Sequence, residues 1–249
     1  MKFDVHSETH QGLVREYNQD NVYAWVAPDK PVALLVVADG MGGYKDGDVA
    51  SRLAVETIEE IIQPALENAY IPAQALQDVL EDAIAEAHTR IYEYGAQNAD
   101  VGRTGTTLIV VVVQKDEAVY ANIGDSRIYL FRGEDIEKLT DDHTVVGEMV
   151  REGFLEEIAM HTHPQRNMLT RALGYEESTY ADFAMRTILP GTRILLCSDG
   201  LWGMATDPEL ALVLRKPDAP EAAVKQLIQL ALENGGDDNV GIVLCDVSA

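Results

Sequence analysis

Apolar positions divide the chain into blocks with two different periods. Val32 to Ala38 is a continuous apolar run, the pattern of a strand buried on both faces. Ala50, Leu53, Ala54, Ile58, Ile61 and Ile62 recur at helical spacing. So do Leu76, Val79, Leu80, Ala83, Ile84, Ala87 and Ile91, which predicts two amphipathic helices. Leu108 to Val113 is a β-branched strand. Ala118–Ile123 and Arg127–Phe131 predict two more, and the intervening Gly124-Asp125-Ser126 reads as a tight hairpin turn. Ile194 to Cys197 is another apolar strand. A helix opens at Pro220, runs through Leu227, Ile228 and Ala231, and stops at Gly235-Gly236. Val240 to Val247 closes the chain as a strand. Residues 144–170 carry no strong strand signal and predict a short helical insertion or flap.

This order bounds the fold. Hairpin-linked strands do not build a doubly wound parallel sheet, because parallel neighbours need crossovers. Antiparallel sheets with helices packed outside fit the pattern, an α+β arrangement. No linker, repeat or low-complexity segment interrupts the 249 residues, so a single domain over 1–249 is expected, with its flap at about 144–170. Hydrophobic residues make up 47% and charged residues 24%, which excludes a disordered chain. No apolar run approaches the roughly 18 residues of a membrane span. The start, Met1 to His6, has neither the apolar stretch nor the cleavage site of a signal peptide, and a cytoplasmic protein is expected. Cys197 and Cys245 each sit in an apolar run with no Cys-x-x-Cys, so both are expected as buried, reduced thiols. No heptad pattern marks a dimer, and a monomer is expected.

Charge sharpens the picture. The net charge of -23 would repel a phosphate backbone and argues against nucleic acid as a partner. Glu59, Glu60, Glu67, Glu81 and Glu86 lie on the polar faces of predicted helices and act as solubilising charge. The aspartates are placed differently. Asp39 follows Leu34-Leu35-Val36-Val37-Ala38 and precedes Gly40. Asp199 follows Leu195-Leu196-Cys197-Ser198 and precedes Gly200. Asp125 follows Asn122-Ile123-Gly124, Asp238 precedes the last strand, and Asp20 precedes an early one. Singly, each Asp-Gly or Gly-Asp reads as a turn. Five strand-end carboxylates in one domain can converge on one rim. Such a cluster repels itself unless a cation sits among it, and all-oxygen ligands select hard ions such as Mg²⁺ or Mn²⁺. The glycine after Asp39 also leaves a backbone carbonyl open as a ligand.

Other chemistries find no support. Neither cysteine has the downstream arginine of a cysteine phosphatase. No Gly-x-Ser-x-Gly elbow and no Gly-x-x-x-x-Gly-Lys-Ser/Thr loop occurs. No compact Asp-x-Asp-x-Asp-Gly loop marks a calcium-binding module. His161-Thr162-His163 lacks a third transition-metal ligand at suitable spacing and reads as an exposed flap loop.

Seven segments together resemble the metal-dependent protein phosphatase family, the PPM or PP2C-like group, in its compact bacterial form. They are Arg15-Glu16-Tyr17-Asn18-Gln19-Asp20, Val37-Ala38-Asp39-Gly40-Met41-Gly42-Gly43, Gly105-Thr106-Thr107, Asn122-Ile123-Gly124-Asp125-Ser126-Arg127, Leu139-Thr140-Asp141-Asp142-His143-Thr144, Leu195-Leu196-Cys197-Ser198-Asp199-Gly200-Leu201 and Gly235-Gly236-Asp237-Asp238-Asn239-Val240. They occur in family order and span nearly the whole chain.

The resemblance implies a four-layer αββα sandwich, two antiparallel sheets flanked by helices, with metals in a cleft at one end. It implies that Asp39 bridges two Mn²⁺ or Mg²⁺ ions and that the Gly40 carbonyl binds the second. Asp199 and Asp238 complete the first site, and Asp20 holds the second ion directly or through water. Asp125 with Asp199 matches a weaker third site. Asp237 matches a variable position and is left out. Arg15 is expected to bind the substrate phosphate, since its fork meets two phosphate oxygens at once.

The implied reaction is hydrolysis of phosphoserine and phosphothreonine in proteins by a water polarised between two ions, without a phosphoenzyme. A counterpart Ser/Thr protein kinase is expected on the same ground. One departure concerns the proton donor. Eukaryotic relatives have histidine where Met41 stands, and many bacterial members have one where Tyr44 stands. A phenol with a pKa near 10 donates less readily at neutral pH. His143 is a substitute candidate, although a structural role beside the flap is the favoured reading, and the donor stays unassigned. Two alternatives share the fold: a phosphatase of a small phosphorylated metabolite, and a non-catalytic phosphoprotein-binding pseudophosphatase. All the matching aspartates are present, which weighs against the second.

Overall fold

The computed structural model describes residues 1–41, 46–98, 104–156, 159–160 and 163–249. Two antiparallel sheets lie face to face. One has the order β1-β11-β10-β7-β8, built from β1 (Lys2–His10), β11 (Val240–Ser248), β10 (Thr192–Cys197), β7 (Arg127–Arg132) and β8 (Asp135–Lys138). The other has the order β2-β3-β5-β6-β9, built from β2 (Asp20–Val26), β3 (Val32–Met41), β5 (Leu108–Gln114), β6 (Glu117–Ile123) and β9 (Asp182–Thr187), with the short β4 (Gly105–Thr106) paired to β3.

The unbroken apolar run of β3 follows from its place between two cores. Leu34, Val36 and Ala38 face helices α1 (Asp46–Asn68) and α2 (Ala73–Gln97). Ala33, Leu35 and Val37 face the opposite sheet. β5 alternates in the same way, with Val110 and Val112 toward the helices and Ile109, Val111 and Val113 inward. On the other side, Leu195, Cys197, Ile242 and Leu244 pack against α4 (Asp199–Trp202), α5 (Asp207–Leu214) and α6 (Pro220–Glu233). Ile194, Leu196, Val243 and Cys245 close the inter-sheet core. The result is the expected helix, sheet, sheet, helix sandwich. Both cysteines are free and buried.

One expectation fails. Gly124-Asp125-Ser126 is not a hairpin turn. β6 pairs with β5 and β9, whereas β7 pairs with β10 and β8 in the other sheet. The segment crosses from one sheet to the other. The tight turns lie elsewhere, at Lys115 (φ 56°) between β5 and β6 and at Gly133 (φ 67°) between β7 and β8. Two short antiparallel strands flanking a Gly-Asp pair carry the same local signal in either case. Only the partner strands, distant in sequence, separate the two.

Within 144–170 the described residues hold one helix, α3 (Val145–Arg151), capped by Thr144, whose hydroxyl accepts from the Gly147 N–H. Its return segment closes on its start through a Thr144–Leu169 bridge. Among the described residues no helix is long and apolar enough to cross a membrane. β1 pairs with β11 from Lys2 opposite Ser248 to His10 opposite Val240. Both chain ends therefore emerge side by side at the end of the sandwich away from Asp238.

Candidate active site

The ends of β3 and β10 and the start of β11 meet at one rim of the sandwich. There a cavity of about 770 Å³ is lined by Arg15, Asp39, Gly40, Asp125, Asp199 and Asp238, together with flap-side residues from Asn167 to Tyr180. Several of the motif segments have a local job in building it. Asp20 and Asp39 stand opposite each other across the β2–β3 ladder. The Gly105-Thr106-Thr107 segment pins the Asp39 backbone: the Thr107 Oγ1 accepts from its N–H at 2.9 Å, and the Thr106 Oγ1 and Thr107 N–H both donate to its carbonyl at 2.9 Å. A Cβ on Gly40 would stand 2.0 Å from the Gly47 carbonyl oxygen, so only glycine lets α1 begin this close to the strand. Asn239 stitches the two ends of the chain together. Its Oδ1 accepts from the Gln19 N–H at 2.9 Å, and its amide donates to the carbonyls of Gln11 and Tyr17.

The carboxylates sit in an unfavourable arrangement for bare anions. Burial first, then neighbouring carboxylates, raises the pKa of Asp39 well above its ordinary value, and burial and Asp199 do the same for Asp125. Asp20 is pushed up to about 7 and Asp199 to about 6, burial again leading. Asp39 and Asp199 open partly to the cavity but have protein on their other sides. Asp39 lies within hydrogen-bonding reach of both Asp20 and Asp199. Asp20 is buried behind the cavity wall, where its Oδ2 accepts from the Ser198 hydroxyl at 2.6 Å. Oδ1 of Asp20 and Oδ1 of Asp199 are buried with no hydrogen-bond partner. Such orphaned charged oxygens cost several kcal/mol unless something positive meets them.

Arg15 supplies one positive charge. Its guanidinium donates to Asp238 Oδ2 at 2.5 Å, and its proton affinity is raised by that bond against the opposing effect of burial, with Asp199 and Asp39 adding to the field. The other oxygen of Asp238 accepts from the Asn239 N–H. No three acidic, histidine or cysteine side chains among the described residues already meet as ligands of one ion. The donor chemistry still fits a hard cation. Every donor is oxygen, two oxygens lack partners, and the carboxylates resist joint ionisation.

Several supporting residues were not visible to sequence reasoning. Trp202 donates its indole N–H to the Asp125 carbonyl at 2.9 Å. Its ring lies 3.6 Å from the guanidinium carbon of Arg127. Arg127 in turn makes a buried two-pronged pair with Asp142 at 3.0 and 2.6 Å. His143 is fully buried and faces Asp182, not the cavity, which removes it as a proton donor to substrate. Asp237 is exposed beside the cluster. Tyr44, His161 and Thr162 lie outside the described residues. His163 accepts from the Gln165 N–H in a local turn.

Comparison with known proteins settles the family. The protein phosphatase 2C family matches residues 8–231. This chain belongs to that family. Over 244 residues it is 33% identical to the serine/threonine phosphatase stp of Listeria innocua, covering 97% of this chain and 96% of that one. The structure of the S. agalactiae serine/threonine phosphatase superposes with a TM-score of 0.91 at 30% identity, covering 99% of this chain and 100% of that one. The crystal structure of the catalytic domain of the serine/threonine protein phosphatase PstP, in complex with two manganese ions, superposes with a TM-score of 0.85 at 32% identity, covering 99% of each chain.

Proposed function

We propose that this phosphatase 2C family member hydrolyses phosphoserine and phosphothreonine in proteins, with Mn²⁺ or Mg²⁺ held by its rim of aspartates. The observation that carries this reading is the convergence of Asp39, Asp125, Asp199, Asp238 and Arg15 on one cavity. Asp39, Asp199 and Asp238 would hold a first ion. Asp39, the Gly40 carbonyl and Asp20 would hold a second, with Asp20 acting from behind the wall. Asp125 with Asp199 would hold a third. Divalent ions in such a site make water a nucleophile at neutral pH and neutralise phosphoryl charge.

The remaining work falls to the chain itself. Arg15 stands at the mouth, where its fork suits two non-bridging phosphate oxygens. The Thr106 and Thr107 clamp fixes the Asp39 backbone, so its carboxylate is presented from a rigid stretch of strand. At about 770 Å³ the cavity has room for a phosphorylated side chain. We place the protein in the cytoplasm as a single catalytic unit over 1–249, a monomer working against a counterpart Ser/Thr kinase.

Hydrolysis of a phosphothreonine peptide, with Mn²⁺ and with EDTA, tests the reading. Wild type is expected to require the metal, and Asp39→Asn to retain below about 1% of that activity. Folded wild type that ignores several phosphopeptides but turns over a phosphorylated metabolite would replace the protein substrate with a small one.

A further inference from the structure

Asp125 reaches the cavity from a crossover whose anchors lie behind it. The Gly124 N–H donates to His143 Nδ1 at 3.1 Å, and the His143 N–H donates back to the Gly124 carbonyl at 2.9 Å. With Nδ1 accepting, the proton of the neutral ring sits on Nε2, and this nitrogen faces Asp182 Oδ2 at 2.9 Å. Burial, reinforced by Arg171, lowers the proton affinity of His143 against the opposing pull of Asp182, and the tautomer of the neutral ring is set by these two partners. Asp182 is the first residue of β9. Its carboxylate also receives both terminal nitrogens of Arg171 at 2.7 and 3.2 Å. Arg171 lies on the return segment of the flap, over the Tyr180 ring, and lines the cavity.

We infer that Asp182 is a positioning residue for Asp125, acting through His143 and held in register by Arg171. The Asp182 side chain is 47% exposed while that of His143 is 0% exposed. A half-exposed ion pair adds little stability. Its geometric effect is larger, because without Asp182 the buried Nε2–H has no acceptor and the ring loses the constraint that aims Nδ1 at Gly124. Partners bonded directly to a metal ligand change metal affinity about 10–100-fold when removed, and Asp182, set further back behind His143 and Gly124, belongs at the low end of that range. The inference rests on the reading of Asp125 as a ligand.

Calorimetric Mn²⁺ titration of wild type, Asp182→Ala and Asp182→Asn tests it, with circular dichroism to confirm folding. Asp182→Ala is expected to weaken the weakest Mn²⁺ site about tenfold and leave the tighter sites unchanged. Asp182→Asn keeps an oxygen that accepts from Nε2 and is expected to stay within about threefold of wild type. A wild-type isotherm for Asp182→Ala, equal weakening of all sites, or no rescue by asparagine would each overturn the inference while leaving the phosphatase reading intact. Wild type that binds no Mn²⁺ would remove the metal reading itself, and the inference with it.

Discussion

Asp238 is claimed from two sides. Its Oδ2 pairs with Arg15 and its Oδ1 with the Asn239 N–H, so an incoming cation competes with the arginine for the same oxygen. Arg15 is also the side chain proposed to receive phosphate, and the two tasks connect. Were Asp238 to turn to a cation, the guanidinium would be released toward the cavity with its charge uncommitted. Arg15→Ala should therefore separate two readouts. A lost charge-assisted contact of about 1.5–3 kcal/mol predicts a fall of roughly 10–100-fold in kcat/KM for a phosphothreonine peptide. Mn²⁺ affinity should hold or improve, because a competitor for Asp238 is gone. Steady-state kinetics beside calorimetry decides, and weaker Mn²⁺ binding in Arg15→Ala would contradict this account.

At the scale of elements, the crossover between β6 and β7 carries the most consequence. Gly124 holds φ at 102°, and a Cβ there would stand 2.6 Å from Cβ and Cγ2 of Thr107. Thr107 also holds Asp39, and its hydroxyl meets Ser126 at 2.8 Å. Gly124→Ala combines an unfavourable backbone region with overpacking, together about 2 kcal/mol or more. A melting temperature lower by about 5 °C is the expected result in a scan, with the Asp125 loop displaced.

This crossover also marks the limit of what the sequence discloses. Asp39, Asp125, Asp199 and Asp238 were legible because each stands at the end of an apolar run, where the period of the chain changes. The two long helices and the strands buried on both faces were legible from periodicity alone. The edge strands β1 and β9 were not, because their half-exposed positions dilute the alternation. Asp182 and Trp202 stayed hidden for another reason. Their partners lie 39 and 77 residues away in sequence, and no local pattern announces a contact of that range.

Across the whole molecule, the site is assembled from both sheets. Asp20 and Asp39 belong to one, Asp199 and Asp238 flank strands of the other, and Asp125 lies on the crossing between them. Closing the sandwich therefore concentrates negative charge, and without a cation this opposes folding. Asp20 and Asp199 have folded-state pKa values of about 7 and about 6, raised from 3.8. The stability tied to their protonated forms is complete below the unfolded value and is lost as pH rises through the folded ones. In EDTA, the melting temperature should fall between about pH 5 and pH 8, and Asp20→Asn should flatten that fall. Added Mn²⁺ should restore stability at pH 8 far more than at pH 5. A metal-free protein whose stability rises across this range would refute the proposed electrostatic strain.

The pairing of β1 with β11 has a practical outcome for handling the protein. Lys2 and Ser248 are neighbours across that ladder, at the end of the sandwich opposite the carboxylate rim. A biotin or bead attached at either terminus would orient every molecule the same way, mouth outward. Surface capture through one end or the other should then give equal access to large phosphorylated proteins in flow.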